Sequence, residues 1–289
     1  MKKQTETLRG QDGFDSYYRE VFKDDWESLR SALLGECVYA RLEYVGMEPY
    51  FLDPASVCAA LALPVKDSCG VLDMCAAPGG KSLVLAGGLR DGASLHANER
   101  SHQRKIRLDT VLKQSLPESV LSSVRTTCSD AAVMCRRKDL CYGSILLDAP
   151  CSSERHVLSD PRYLSLWSPS RIKNLSMEQW ALLSSAWRML SPGGALVYST
   201  CALSPSENDG VLERLSRKFP DVYFASEDEV MDVIAESAAD FRGTLCFPCG
   251  MELTDFLKDA VRTERGLHFL PHIARGAGPL FFSLMYKKS

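Results

Sequence analysis

Val71-Leu72-Asp73-Met74-Cys75-Ala76-Ala77-Pro78-Gly79-Gly80-Lys81-Ser82 reads as an apolar strand, a loop of small residues and the start of a helix. Small residues let a ligand approach the backbone, and the free N–H groups of a helix start favour polar or anionic ligand atoms. A tight turn alone would account for the glycines but not for the whole Ala-Ala-Pro-Gly-Gly-Lys string. The spacing is not that of a Walker A loop, so Lys81-Ser82 gives little support for a nucleotide triphosphate.

From this segment onward, short β-type runs alternate with helical patterns. The predicted strands are Gly70 to Cys75, Ser94 to Asn98, Val124 to Cys128, Ser144 to Asp148, Ala195 to Ser199, a poorly defined run near Thr244 to Pro248, and Leu280 to Tyr286. Such an order predicts an α/β fold with a mostly parallel, seven-stranded sheet and helices on both faces. Ser191-Pro192-Gly193-Gly194 supplies turn chemistry before the fifth strand and closes a helix whose Trp180, Leu183, Trp187 and Leu190 are expected to pack on the sheet. Upstream, Tyr17, Tyr18, Val21, Phe22, Trp26, Leu29 and Leu33 recur at helical spacing, so residues 13 to 60 read as helical. A small N-terminal helical segment over residues 1–60 and a main domain over 61–289 follow from this change of rhythm.

The 289 residues are 45% hydrophobic, enough for a substantial core. Net charge −3 and a pI near 6.0 do not mark a nucleic-acid binder. Two local basic groups, Arg100/Arg104/Lys105/Arg107 and Arg136/Arg137/Lys138, read first as solvated faces. Met1–Glu6 leads into charged sequence with no apolar signal core, and the apolar runs fall short of a membrane span. The eleven cysteines are therefore expected to be reduced, in a cytoplasmic monomer that does not engage membranes.

Chemistry concentrates where strands are predicted to end. Glu99, 18 positions beyond Lys81, suits the two hydroxyls of a ribose, and Asp130 after the third strand can reach an adenine amino group. Asp148 closes the next strand, immediately before Ala149-Pro150-Cys151-Ser152-Ser153; Tyr198-Ser199-Thr200-Cys201 closes the one after. Two thiols at neighbouring strand ends suit a reaction in which one sulfur attacks and the other helps release. Cys246 and Cys249 with His268 and His272 have zinc-like internal spacings, but the gap between the pairs exceeds a usual finger, and no metal is expected.

The strings DMCAAPGGKS, LLDAPCSSERH and YSTCALSPSEN, in this order and spacing, closely resemble the Nop/Sun family of RNA cytosine-5 methyltransferases. The likeness runs from about Phe14 to the C-terminus and takes in Tyr50–Ser56 and Arg275–Phe282. It implies a Rossmann-like class I methyltransferase fold, S-adenosyl-L-methionine as cofactor, and RNA as partner, ribosomal RNA ahead of tRNA. Carried over by position, Cys75, Ala76, Ala77, Pro78, Gly79, Gly80, Lys81, Glu99, Arg104, Asp130 and Asp148 are implied cofactor contacts. Cys201 is implied as the nucleophile, Cys151 as the residue needed for product release, and Asp148 as a catalytic partner at the cytosine edge. The family often has Asp where this chain has Glu99, and the extra RNA-binding domain that several relatives add at one end is not expected here. Arg155, His156, Arg104 and Lys81 are candidate phosphate or base-pocket contacts.

The implied chemistry is coherent. Carbon 5 of cytosine is a poor nucleophile, and a thiolate adding to carbon 6 makes carbon 5 enamine-like. Cys201 must then be substantially thiolate, and a helix start within Ser204–Asn208 is expected to supply the field. DNA cytosine methyltransferases also use a Pro-Cys but lack the Thr-Cys partner, so DNA ranks below RNA. A ribosome-assembly factor without catalysis is the alternative of another class; Cys151, Cys201 and Asp148 together argue against it.

Overall fold

The computed structural model describes residues 9–68 and 70–289, apart from the side chain of Cys249. After α1 (Gly10–Phe22) and α2 (Trp26–Leu34), the chain forms a hairpin of β1 (Ala40–Glu43) and β2 (Tyr50–Leu52) and then α3 (Pro54–Leu61). The alternating part follows as β3 (Gly70–Asp73), α4 (Gly80–Gly88), β4 (Ser94–Glu99), α5 (His102–Ser115), α6 (Glu118–Leu121), β5 (Val124–Cys128) and β6 (Tyr142–Asp148). Next come α7 (Glu154–Ser159), α8 (Pro161–Ser165), α9 (Pro169–Met189), β7 (Leu190–Thr200), α10 (Asp209–Lys218), β8 (Val222–Phe224) and α11 (Glu227–Ala239). β9 (Thr244–Cys246), α12 (Leu253–Leu257), β10 (Val261–Arg262), β11 (Leu267–Phe269) and β12 (Leu280–Lys287) complete the chain.

The main sheet has nine strands in the order β10-β11-β12-β7-β6-β3-β4-β5, with β8 beside β12. β7, β6, β3, β4 and β5 are mutually parallel, and β12 runs antiparallel to β7. Side chains alternate between two cores, as the two-residue period of a strand requires. Val71, Leu146 and Val197 join α3 and α4 on one face, and Leu72, Ile145, Leu147, Leu196 and Tyr198 join α9 and α10 on the other. Leu183, Trp187 and Leu190 lie in that second core with Trp180 packed against it, as expected of this helix. Because β3 connects to β4 on one side and has β6 on the other, the sheet reverses its winding between β3 and β6, where such sheets bind ligands.

The structure corrects several expectations. Residues 13–60 are not helical throughout: β1 and β2 interrupt them, pairing Ala40 with Leu52 and Leu42 with Tyr50. The run near Thr244 does not enter the main sheet; β9 pairs with β1 in a separate three-stranded sheet. The main sheet gains β8, β10 and β11, each too short for a periodic signature. Ser191–Gly194 lie within β7 as an irregularity between the pairs Tyr142–Leu190 and Ser144–Ala195, with Gly193 at φ +74°. The helices α1 and α2 contribute Phe14, Tyr18, Trp26, Leu29 and Leu33 to a third core shared with Val157, Trp167, Ile172, Leu203 and Leu270. They thereby buttress the segments that follow both cysteines.

Candidate active site

Three adjoining cavities open along the C-terminal ends of the parallel strands. The largest, about 770 Å³, is lined by Cys75, Lys81, Arg104, Asp148, Cys151, Arg155, His156 and Cys201, together with Asp53, Ser153 and Leu280. A second, about 350 Å³, is lined by Met74, Cys75, Glu99, Arg104, Asp130, Pro150 and Leu182. A small one of about 120 Å³ joins Ala76, Ala77, Pro78, Gly80 and Lys81 to Tyr50 and Asp73. Cys75 lies on all three, so the loop after β3 is their common wall.

Gly79 is the one loop residue of Cys75–Lys81 that lines none of these cavities. Its φ of +124° makes the turn into α4, and a Cβ there would stand 3.0 Å from Val111 Cγ1. Asp73, at the end of β3, is buried and accepts a hydrogen bond from Ser82 Oγ at 2.7 Å, which fixes α4 against its strand. Burial pushes this carboxyl up to about 7. Glu99 Oε1 accepts the Ser101 N–H at 2.8 Å, whereas its buried Oε2 has no hydrogen-bond partner, although Arg104 Nη1 stands 3.3 Å away. Arg104 instead donates to the Ala77 carbonyl at 2.7 Å. Asp130 caps the following turn through the Ala132 N–H.

Asp148 and the two cysteines meet in the largest cavity. Asp148 Oδ2 accepts from Lys81 Nζ and Oδ1 from Ser199 Oγ, both at 2.8 Å, so both carboxylate oxygens are engaged. Burial opposes the Lys81 charge, but Asp148 and Cys201 hold the ammonium above its ordinary range. The sulfurs of Cys151 and Cys201 lie 2.9 Å apart as free thiols. Ser153 stands at φ 55°, ψ 61°, a left-handed conformation uncommon outside glycine, and this brings its Oγ to 3.3 Å from Cys201 Sγ and 3.6 Å from Cys151 Sγ. The donation from Cys151 pulls the Cys201 thiol below its ordinary range against the opposing effect of burial, with Ser153 adding to the pull. Cys151 is correspondingly pushed up, by its hydrogen bond with Cys201 and then by burial.

A helix start does not supply this field. Residues 204–208 form hydrogen-bonded turns, and α10 begins only at Asp209. Thr200 Oγ1 donates to Asn208 Oδ1 at 2.6 Å and Asn208 Nδ2 to the Ala202 carbonyl at 2.9 Å, so the strand end carrying Cys201 is tied to these turns.

Arg155 and His156 reach the cavity, but the Arg155 guanidinium is engaged with Gly276 O at 3.1 Å and Cys37 Sγ at 2.9 Å. Four of the seven basic residues flagged in the sequence are ion-paired: Arg100 with Glu178, Arg104 with Glu99, Lys105 with Asp109 and Arg137 with Asp139. Sequence reasoning missed Asp53 as a wall residue. It caps α3 through the Ala55 N–H and accepts the Gly278 N–H at 2.7 Å, joining β2 to the entry of β12. Its Asp-Pro helix-start signature was available in the sequence. Glu154 and Glu207 were also missed; both are fully buried beneath the cysteines. For the zinc reading, Cys246 is exposed, whereas His268 is buried with Nε2 unpartnered, and the Cys249 side chain lies outside the described residues.

Residues 60–272 match the family described as 16S rRNA methyltransferase RsmB/F. The chain is 35% identical over 190 residues to the mitochondrial tRNA (cytosine(34)-C(5))-methyltransferase of Danio rerio, covering 65% of this chain and 51% of that protein. It is 38% identical over 222 residues to the ribosomal RNA small subunit methyltransferase F of Pectobacterium carotovorum, covering 76% of this chain and 40% of that protein. It thus spans about half the length, or less, of these curated relatives. Its fold is similar to that of a methyltransferase homolog protein from Pyrococcus horikoshii, with a TM-score of 0.66, 21% identity, and coverage of 95% of this chain and 94% of that one. The family match across most of the chain and the strand-end cysteines it encloses lead to one conclusion: the protein belongs to the 16S rRNA methyltransferase RsmB/F family.

Proposed function

We propose that the chain transfers a methyl group from S-adenosylmethionine to carbon 5 of a cytosine in RNA, with ribosomal RNA ahead of tRNA, through a transient bond between Cys201 and the base. The observation that carries this reading is the Cys151–Cys201 pair, 2.9 Å apart and beside Asp148, at the end of the sheet where its winding reverses. The names of the relatives support cytosine carbon 5 as the target, and they include both ribosomal and transfer RNA substrates.

The residues fit the cofactor. The buried Glu99 Oε2, which accepts no hydrogen bond and has only Arg104 Nη1 at 3.3 Å, suits a ribose hydroxyl, and the small residues after Cys75 leave the backbone open to a ligand. Cys75 to Pro78, Gly80, Lys81, Glu99, Arg104, Asp130 and Asp148 would hold it, with Gly79 making the turn behind them, and it supplies an electrophilic methyl group on a sulfonium. Cys201, drawn toward the thiolate, attacks carbon 6 and makes carbon 5 nucleophilic. Asp148, whose Oδ2 accepts from Lys81 and whose Oδ1 accepts from Ser199, would accept the cytosine amino N–H as well. Once carbon 5 is methylated and its proton removed, the carbon–sulfur bond breaks, and Cys151, the more weakly acidic thiol, handles a proton in that elimination.

In this reading residues 1–60 are an RNA-binding segment and 61–289 the methyltransferase domain, in a cytoplasmic monomer. Exposed Tyr39 and Phe51 support the first assignment, since aromatic rings stack on unpaired bases. Among the described residues no helix is long and apolar enough to cross a membrane.

Purified protein given RNA and labelled cofactor should produce 5-methylcytosine, and bisulfite sequencing of total RNA with and without the gene should locate it. Cys201→Ala should abolish the product, and Cys151→Ala should leave protein trapped on RNA as a denaturation-resistant adduct. Normal turnover by Cys151→Ala would overturn the division of labour. RNA binding by the unaltered protein with no methylation would favour the assembly-factor reading.

A further inference from the structure

Beneath the two cysteine loops runs a chain of buried polar groups that the reaction above does not use. Ser152 Oγ is within hydrogen-bond reach of both Glu154 Oε1 and Glu207 Oε2. Glu154 also accepts the Tyr18 hydroxyl on Oε1 and the Leu203 N–H at 2.9 Å on Oε2. Glu207 Oε1 accepts the Ser152 N–H and Gln179 Nε2, each at 2.9 Å. Ser152, Glu154, Gln179 and Glu207 are all 0% exposed. The titratable groups facing the pair are Tyr17 and Tyr18 from α1, Tyr198 from β7, and the thiols of Cys151 and Cys201, none of them a cation.

The two contacts of Ser152 Oγ need two hydrogens between them. A serine hydroxyl has one hydrogen and can donate to one carboxyl only. If both glutamates were ionised, the other contact would set lone pair against lone pair in a site closed to bulk solvent. The remaining partners place the missing proton. Glu207 Oε1 already accepts two N–H groups, whereas Glu207 Oε2 faces only Ser152 Oγ.

We propose that Glu207 is held as a carboxylic acid whose O–H donates to Ser152 while the Ser152 O–H donates to the Glu154 carboxylate. This chain clamps the loop of Cys151 to the loop of Cys201 and sets the spacing of the two sulfurs. Burial, reinforced by the Glu154 charge, raises Glu207 to about 7, in keeping with the count. The catalytic consequence rests on the reading of Cys201 and Cys151 as the reacting sulfurs; Glu154, Ser152 and Glu207 are positioning residues. Above the transition Glu207 loses its proton, the carboxyls repel across Ser152, and the competent fraction falls by about tenfold per pH unit.

The test measures RNA methylation from pH 6 to 9 for the unaltered protein, Glu207→Gln and Glu207→Ala, alongside infrared spectra of the carboxyl C=O stretch. The glutamine amide keeps a donor on Ser152 at every pH while its carbonyl accepts the two N–H groups. Glu207→Gln should therefore lose the falling alkaline limb, and at neutral pH it should recover the rate that Glu207→Ala lowers by at least tenfold. The unaltered protein should show a protonated-carboxyl band titrating near 7 that Glu207→Gln lacks, while a similar band from Asp73 persists in both. Superimposable pH profiles for the unaltered protein and Glu207→Gln, or a carboxyl band unchanged by Glu207→Gln, would overturn the proposal. No methylation by any form at any pH would overturn the reading of function instead, and the infrared band would still judge the proton.

Discussion

Replacing Cys151 by alanine should do more than remove a second thiol, because that thiol is also the closest donor to Cys201. A hydrogen bond to the charged form of a group favours that form, so losing the 2.9 Å contact raises the Cys201 pKa. A hydrogen bond to a charged partner contributes about 1.5–3 kcal/mol, and about 1.4 kcal/mol is one pKa unit, so the expected rise is about one to two units. Ser153 Oγ, at 3.3 Å, remains as a weaker donor and limits the loss. The more basic thiolate is also more nucleophilic, which recovers nearly half of the lost rate on a logarithmic scale and leaves a net fall of roughly 3- to 12-fold at neutral pH. Iodoacetamide alkylation of Cys201, followed by peptide mass spectrometry from pH 6 to 10, reads this directly and needs no RNA. Cys151→Ser restores a hydroxyl donor and should return most of the shift. An unchanged midpoint in Cys151→Ala, or identical curves for the alanine and serine variants, would refute the donor role of Cys151.

Glu99→Ala should weaken S-adenosylmethionine binding by about 10- to 100-fold in calorimetric titration, the loss of a charge-assisted hydrogen bond, and Glu99→Asp should recover most of it. Trp26→Ala, in the aromatic cluster with Phe14 and Tyr18, should lower stability by about 3–5 kcal/mol in urea denaturation, the usual effect of truncating a large core side chain. His268 is held neutral by burial, with a pKa lowered from 6.5 to about 4. Its folded pKa lies below its unfolded one, so its contribution is complete above pH 6.5 and is lost as pH falls toward 4. His268→Leu should flatten the stability-versus-pH curve in that window by about 3 kcal/mol, relative to the unaltered protein.

The parallel core was legible because each of its strands carries its own signal. Val124–Cys128 was read at its observed limits, and β3, β4, β6, β7 and β12 were found with shifted ends. Local chemistry likewise marked the β3–α4 loop, Glu99, Asp148 and the two cysteines, and the fold brings these to adjoining cavities. The hairpin of β1 and β2 was hidden because three- and four-residue strands hold too few alternations to compete with the helical rhythm before them. β9 was assigned to the wrong sheet because its partner lies far away in sequence, and no local pattern encodes that pairing. Glu154 opens the short helix α7 and Glu207 sits in a turn, positions where a glutamate reads as solvated; only the fold reveals that α1 and α9 cover them.

The pairing of β1 with β9 has a consequence for biosynthesis. Arg41 lies opposite Cys246, and Asp53 holds the Gly278 N–H, so the first and last parts of the chain meet across about 200 residues. A two-stranded hairpin is at best marginal alone, and closing so long a loop comes late in folding. The wall formed by Tyr50, Leu52 and Asp53 therefore stays unfinished on a nascent chain even after the parallel strands have emerged. An N-terminal fragment ending after β7 would carry both sulfurs and yet present them in an open trough. Competence would arrive only once β9 has paired with β1 and Gly278 has reached Asp53, so a chain lacking those segments would be silent rather than indiscriminate.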